Sequence, residues 1–317
     1  MSKTMPKPVT DGRAVASVIP AVRTLEGEGF EVRRAIPGPG FQSIGPFIML
    51  DHFGPKDYGP GEALGAPEHP HFGIETLTYM LDGYGLHRDS IGNISVTGPR
   101  EAQWMRAGRG IVHDEGADPE SRRLGGRSNG VQLWINLPKG HRDAEPEYKP
   151  FRGDAIPELV GNNATIRLLA GKLGTETGPV TTFSPPWLAH VSLAPGASLE
   201  LDTPADIELG AYVLSGSGKF GTPRHDVHEG ELIRFSRTGA GVAIEADIAL
   251  EALVLGGPPI VGQLLRYGPF VADTKEEMLR AVRDYQTGAM GSIDFSKPIP
   301  ARPEPRASVR RPIRAAV

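Results

Sequence analysis

Two short motifs, His69-x-His71 and His113-x-Glu115, constrain this chain more than any other feature. Each motif places two potential metal ligands one residue apart. Along an extended strand, residues i and i+2 point to the same face, so each motif can aim both of its ligands at one point. If the intervening strands curl into a barrel, all four side chains face one interior. The sequence therefore predicts a metal site formed by three histidines and one carboxylate.

The segments between and after the two motifs have the pattern of short strands. Apolar runs at 76–81, 103–105 and 131–137 are separated by glycine-containing turns. The 317 residues include 41 glycines and 30 prolines, which favour turns over long helices. Short strands at spacings near ten residues are typical of a sandwich or barrel, so we predict an all-β fold.

The second half of the chain repeats this pattern. Residues 212–218 are similar to residues 79–85 at an offset of 133 residues, and the same offset aligns Glu208 with Glu75. At that offset the predicted ligands fall on or near Asp202, Pro204, Ala246 and Ile248. We therefore predict an N-terminal metal-binding barrel over residues 1–145 and a C-terminal barrel without metal ligands over residues 146–317. The charged, proline-rich stretch 138–152 marks the boundary.

The two ends of the chain have their own patterns. Asp273 followed by Glu276 is typical of a helix start, and we predict a short helix over residues 273–287. The proline- and arginine-rich tail over residues 296–317 is predicted to be disordered, and residues 1–12 to form a loose arm.

Composition excludes several classes of site and partner. The absence of cysteine excludes disulfides and thiolate ligands. A net charge of −4 gives no reason to expect direct contact with nucleic acid. No apolar run approaches the ~18 residues that span a bilayer, and the first residues lack the apolar core of a signal peptide. We expect a cytoplasmic protein without a membrane partner.

The predicted ligand set restricts the metal. Imidazoles and a carboxylate suit Fe, Mn, Co, Ni, Cu or Zn. Four protein ligands leave up to two open positions on a six-coordinate ion, which allows catalysis. We place Fe(II) first because such sites suit oxygen chemistry. The competing interpretation is that these histidines cap loops or satisfy polar groups in the core.

Several stretches resemble the signature of the pirin family: residues 50–55, 69–83, 87–90, 103–115 and 267–271. The resemblance extends over about residues 14–291. It implies a bicupin, two β-barrels of the double-stranded β-helix or jelly-roll type, with one iron in the N-terminal barrel. It also implies the same four ligands, His69, His71, His113 and Glu115. One departure is Phe72, where family members often carry a basic residue.

The resemblance also implies a function. Some pirins open the flavonol quercetin with O2, and in that reaction the 3-hydroxyl would be deprotonated, with Glu115 as the candidate catalytic base. The flavonolate would bind the metal, O2 would attack the activated ring, and carbon monoxide and a depside would leave. The alternative is a non-enzymatic iron-binding regulator that docks on a transcription factor or metabolic enzyme. A third possibility is a vestigial cupin without chemistry.

Other polar and aromatic residues near the motifs have structural interpretations. We predict structural hydrogen bonds for His87 and Asp89, a hydrogen-bonded turn position for His52, and a core position for Trp134.

Overall fold

The computed structural model describes residues 12–161 and 163–313, so the predicted arm over residues 1–12 lies almost entirely outside the described residues. Up to residue 151 the elements are β1 (Val15–Pro20), β2 (Val22–Glu26), β3 (Phe30–Ile36), β4 (Phe47–Tyr58), β5 (Gly65–His71), β6 (Ile74–Asp82), β7 (Gly85–Asp89), β8 (Ile94–Thr97), β9 (Ala102–Arg106), β10 (Ile111–Ala117), α1 (Pro119–Leu124), β11 (Gly126–Asn136) and β12 (Glu147–Phe151).

In the second half the elements are a 3-10 turn (Gly153–Ala155), β13 (Glu158–Gly161), β14 (Ala164–Ala170), β15 (Lys172–Leu173), β16 (Glu176–Thr177), β17 (Trp187–Leu193), β18 (Ser198–Leu201), β19 (Glu208–Ser215), β20 (Ser217–Phe220), β21 (His225–His228), β22 (Glu231–Phe235), β23 (Val242–Ala246), β24 (Leu250–Gly257), β25 (Leu265–Tyr267), β26 (Phe270–Ala272), α2 (Lys275–Gln286) and β27 (Arg310–Pro312). Neither α-helix is long and apolar enough to cross a membrane.

Each half consists of a large and a small sheet that pack face to face. In the first half the strand orders are β12-β9-β6-β11-β4-β3-β2 and β5-β10-β7-β8. In the second half they are β1-β22-β19-β24-β17-β14-β13-β27 and β18-β23-β20-β21. The same order recurs in both halves, and it confirms the predicted all-β fold built from two similar units. The three predicted strands at 76–81, 103–105 and 131–137 are parts of β6, β9 and β11.

The two halves exchange an edge strand. β1, at the start of the chain, pairs with β22 of the second half, and β12, after the first half, pairs with β9 of the first half. The two strands occupy equivalent edges of the two large sheets. A division of the chain at residue 145 therefore separates each of these strands from the sheet that it completes, and this boundary stays a prediction.

The outer faces of the two large sheets pack against each other through one shared apolar cluster. Two buried tyrosines also cross this interface. The Tyr79 hydroxyl lies 3.0 Å from Nδ1 of His190, and the Tyr212 hydroxyl lies 3.3 Å from Nδ1 of His52. The strand registers place these residues at matching positions of the two halves. The interface therefore contains the same tyrosine–histidine contact twice, once in each direction.

The two histidines of this interface differ in one partner. Nε2 of His52 lies 2.9 Å from the Asn129 side-chain oxygen, whereas Nε2 of His190 lies 2.5 Å from the Glu251 carboxylate. Burial, with the charge of Arg33, lowers the pKa of His52 to about 3, so that His52 is neutral. The sequence predicted His52 as a hydrogen-bonded turn residue. It is hydrogen-bonded, but it lies within β4.

The C-terminal segment returns to the first half. Helix α2 begins at Lys275, two residues later than predicted, with Thr274 as its N-cap and Glu277 completing the capping box. Asp273 does not cap the helix because its carboxylate accepts a hydrogen bond of 2.8 Å from Arg142.

The tail differs from the predicted disorder over its described part, residues 296–313. Arg302 forms two hydrogen bonds of 3.0 Å with Asp118, and β27 pairs in parallel with β13. The arginines of this tail meet carboxylates that lie far away in the sequence, which local composition does not indicate.

We expect Tyr79→Phe to lower the free energy of unfolding by about 1–3 kcal/mol, because it leaves a buried nitrogen of His190 without its partner. Urea denaturation measures the change. Tyr267→Phe is the matched control, since Tyr267 is 66% exposed, and its effect should stay within about 0.5 kcal/mol. Equal losses in both variants would contradict a role for the Tyr79–His190 contact.

Glu75 lies on the interface side of β6 and is fully buried. Its equivalent, Glu208, accepts a backbone N–H from the first half, whereas neither carboxylate oxygen of Glu75 has a hydrogen-bond partner among the described residues. Thr182 and Phe183 lie near enough to favour the ionised form of Glu75, but their contacts with its carboxylate do not have hydrogen-bond geometry. Burial raises the pKa of Glu75 to about 8, against the opposing charge of Arg106.

This pKa makes the stability of the fold depend on pH. The native state holds a proton on Glu75 that the unfolded chain releases at its ordinary pKa of 4.5, so Glu75 reduces stability progressively as pH rises from 4.5 to about 8. We expect Glu75→Gln to show a smaller decline in the free energy of unfolding between about pH 5 and 9 than wild type. Glu145→Gln, at an exposed carboxylate, is the control, and parallel curves for wild type and Glu75→Gln would refute the expectation.

Candidate metal centre

Two neighbouring strands of the small sheet carry the predicted ligands. β5 holds His69 and His71, β10 holds His113 and Glu115, and antiparallel pairing sets His113 opposite His69. The three imidazole rings lie 4.3 to 5.0 Å apart between centroids. One nitrogen of each lies within 4.8 Å of the others. The structure therefore brings three of the four predicted ligands together at one point.

Backbone carbonyls fix which nitrogen two of these imidazoles present. Nδ1 of His69 lies 2.8 Å from the carbonyl of Pro67, and Nδ1 of His71 lies 3.2 Å from the carbonyl of Pro269. An Nδ1–H that donates to a carbonyl leaves Nε2 unprotonated and free to bind a metal. Nε2 of His69 indeed faces Nε2 of His113 at 2.8 Å.

Burial keeps two of the imidazoles neutral. Desolvation, followed by the charge of His69, lowers the pKa of His71 and of His113 well below the usual value. Nδ1 of His113 is buried without a hydrogen-bond partner in the described chain. Neutral, desolvated imidazoles with unused nitrogen lone pairs are the donors that divalent transition metals prefer. The residues present therefore fit a metal ion.

Glu115 belongs to a second group of potential ligands, which shares His113 with the first. Its two carboxylate oxygens lie 4.0 Å from Nδ1 of His87 and from Nδ1 of His113. Nε2 of His87 lies 3.2 Å from the Asp89 carboxylate, and its ring stacks on Tyr148 at 4.2 Å. The predicted structural hydrogen bond of His87 is therefore present. No pattern in the sequence indicated that His87 also lies beside Glu115.

Three residues of the large sheet hold the Glu115 carboxylate from the opposite side. Gln103 donates to one oxygen at 2.8 Å, and Gln132 donates to the other at 2.9 Å. The Thr78 hydroxyl lies 3.2 Å from Glu115 and 2.5 Å from the Gln132 side-chain oxygen, and its single proton serves one of these at a time. Thr78 on β6 pairs directly with Gln103 on β9 and with Gln132 on β11, so the three residues form one polar row.

Sequence reasoning missed this row, although a signal was present. Gln132 is a polar residue directly before the apolar residues Leu133 and Trp134. Gln103 likewise stands directly before Trp104. A polar residue at an inward position of a buried strand must find a partner inside the barrel. The partner itself, 12 or more residues away, could not be named without the fold.

An aromatic residue borders the three histidines. Trp134, predicted as core, is mostly buried, and its ring meets that of His71 edge to face at 4.9 Å.

Phe72, the residue that departs from the family pattern, is fully buried in a separate apolar cluster with Phe270. Its side chain is therefore part of the packing beneath α2.

The small sheet of the second half carries apolar side chains toward the core, and apart from Ala246 they do not lie at the positions that the offset of 133 residues indicated. β18 and β23, the counterparts of β5 and β10, contribute Leu199, Leu201, Val242 and Ile244 to a core cluster. Among residues 12–161 and 163–313, the two groups that share His113 are the only clusters of potential metal ligands.

Comparisons with known proteins agree with this architecture. A family model described as Pirin matches residues 29–135, and one described as Pirin C-terminal cupin domain matches residues 188–291. A Pseudomonas aeruginosa protein provisionally named quercetin 2,3-dioxygenase is 35% identical over 272 residues, 84% of this chain and 94% of that protein.

Solved structures share the fold. The crystal structure of a quercetin 2,3-dioxygenase from Acinetobacter baumannii has a TM-score of 0.84 and 30% identity, covering 88% of this chain and 99% of that chain. A bacterial pirin from Escherichia coli in complex with nickel(II) has a TM-score of 0.59 and 20% identity, covering 77% and 99%. These matches confirm the predicted pair of cupin domains.

We expect Gln132→Leu to weaken metal binding by about 10- to 100-fold, because a ligand carboxylate without its hydrogen-bonding support is free to rotate. Competition with a chromophoric chelator measures the affinity. Gln286→Leu, at an exposed position of α2, serves as the matched control. An unchanged affinity in a folded Gln132→Leu protein would show that the polar row does not support the site.

Proposed function

This chain belongs to the pirin family, and from that premise we propose that it is a metal-dependent dioxygenase that opens a flavonol such as quercetin with O2. The observation that carries the proposal is the convergence of three imidazoles beside a hydrogen-bonded carboxylate in a buried interior. Relatives and structural neighbours named for this reaction support it. A flavonol and O2 are then the partners, and the cytoplasmic location expected from the sequence is part of the same proposal.

We assign His69, His71, His113 and Glu115 as the residues that hold the metal. Fe(II) remains our first choice, and Mn, Co, Ni, Cu and Zn suit the same donors; nickel(II) is the metal in the related Escherichia coli structure. When bound, the metal would supply a Lewis acid for the oxygen chemistry of the reaction.

Glu115 can act as the base in this proposal because its carboxylate keeps capacity to accept a proton. An ionised carboxylate offers about four lone-pair sites. Gln103 and Gln132 each occupy one, and Thr78 occupies at most one more. With the Thr78 hydroxyl donating to Gln132, the two remaining sites would take the metal and the proton of the flavonol 3-hydroxyl, while the two glutamine donors keep the carboxylate in a fixed orientation.

Apolar side chains of the large sheet would bind the flat rings of the substrate. Met49, Trp134 and Met105 belong to one buried cluster and project into the same interior as the polar row. Aromatic and sulfur-containing side chains make favourable contacts with planar rings. They also exclude water, which strengthens the electrostatic interactions of the site.

The alternative is a non-enzymatic metal-binding regulator that docks on a transcription factor or metabolic enzyme. One observation favours it: the C-terminal segment over the first half exposes Val261, Tyr267 and Leu279, which are 66 to 89% exposed. A regulator of this kind would bind metal without consuming O2, so one assay separates the two functions.

We expect iron-loaded protein to consume O2 with quercetin, and His113→Ala to reduce that rate to background because it removes the imidazole shared by both ligand groups. An oxygen electrode measures the rate, and metal analysis accompanies each sample. His225→Ala, at an exposed histidine of the second half, should retain the wild-type rate. Background uptake by all three proteins, with metal bound to wild type, would refute the enzyme and favour the regulator.

A further inference from the structure

A hairpin of the second half forms part of the wall of the candidate metal centre. β25 and β26 follow the large sheet of the second half and pair with each other, and Phe270 of this hairpin bridges to Phe72 of the first half. The N–H of Val271 donates to the carbonyl of Phe72 at 3.0 Å, and the carbonyl of Pro269 lies 3.2 Å from Nδ1 of His71. Residues almost 200 positions away in the sequence therefore border the histidine cluster.

This hairpin brings a cation to the site. The guanidinium carbon of Arg266 lies 4.7 Å above the ring of Trp134, which itself contacts His71. Nη2 of Arg266 lies 3.8 Å from the sulfur of Met49. The indole of Trp134 therefore contacts both a metal-site imidazole and a positive charge.

Arg266 has no counter-ion in the described chain. No carboxylate oxygen of residues 12–161 or 163–313 lies within 4.0 Å of it, although most other arginines of the protein are paired. The two carboxylates that act on it from further away, Asp51 and Glu26, are each bound by Arg34 at 2.6 Å. An exposed guanidinium without a counter-ion can accept an anion that arrives with a ligand.

We propose that Arg266 is a specificity-determining residue that binds the ionised oxygen of a planar aromatic ligand while the rings of that ligand lie along Trp134. The class of ligand, a flavonol ionised at its 3-hydroxyl, rests on the proposed function. Its negative charge is shared between the 3-oxygen and the neighbouring carbonyl, and a planar guanidinium fork can donate to both oxygens. Arg266 thereby selects the anion over the neutral molecule.

The test compares one ligand that can ionise at the 3-oxygen with one that cannot. Metal-loaded protein is titrated without O2 with quercetin and with its 3-O-methyl ether, and binding is followed by tryptophan fluorescence and flavonolate absorbance. We expect Arg266→Gln to raise the Kd for quercetin by about 10-fold, as for loss of one charge-assisted hydrogen bond, and to change the Kd for the ether less than about twofold. Arg266→Lys keeps the charge without the fork and should fall between wild type and Arg266→Gln.

Controls separate this effect from folding and from metal loss. Arg23→Gln makes the same change of charge at an exposed ion pair with Glu31 and should leave both Kd values unchanged. Metal content is measured for each variant. Equal loss of both ligands in Arg266→Gln, or no loss of either, would overturn the proposal and leave Arg266 as a packing partner of Trp134.

The outcome is independent of turnover. Wild type that binds quercetin in an Arg266-dependent way without consuming O2 refutes the dioxygenase and leaves this inference standing. Wild type that consumes O2, with the same selectivity between the two ligands in Arg266→Gln, refutes only this inference.

Discussion

The site and the interface between the two halves both depend on the alternation of side chains across the large sheet of the first half. On β6, Thr78 points to the metal side, whereas Leu77 and Tyr79 point to the other half. On β11, Gln132 and Leu133 divide in the same way. Both faces are buried, so a slip of one residue would place the polar row in the apolar interface and the apolar residues beside the histidines. This double constraint fixes the register.

The second half shares the scaffold of the first and completes it. Its small sheet carries leucine, isoleucine and valine where the first half carries ligands. It nevertheless supplies the partner of Tyr79 and the hairpin beside His71. The exchange of β1 and β12 adds a backbone connection in each direction. A half without ligands therefore still shapes the site in the other half.

Buried histidines have different surroundings at the metal centre and at the interface between the two halves. At the metal centre, burial and mutual repulsion keep His71 and His113 unprotonated, which suits ligands. At the interface, His52 stays neutral against an amide, whereas its counterpart His190 meets a carboxylate. Equivalent positions thus hold the same side chain in different electrostatic surroundings, because the neighbouring strand carries Asn129 in one half and Glu251 in the other.

The sequence alone determined several strands, the internal repeat and the candidate ligands, because each follows from a pattern in the sequence itself: alternation along a strand, turn residues at short spacings, a similar stretch at an offset of 133 residues, and imidazoles at i and i+2. Only the tertiary structure decided which residues meet those ligands. Gln103, Gln132, His87 and Arg266 reach the site through strand pairing and through a hairpin from the distant end of the chain. The tail was predicted to be disordered, but in its described part the arginines form ion pairs with carboxylates that only the folded chain brings near. Local patterns carry no information on such distant partners, because sheet register and packing set them.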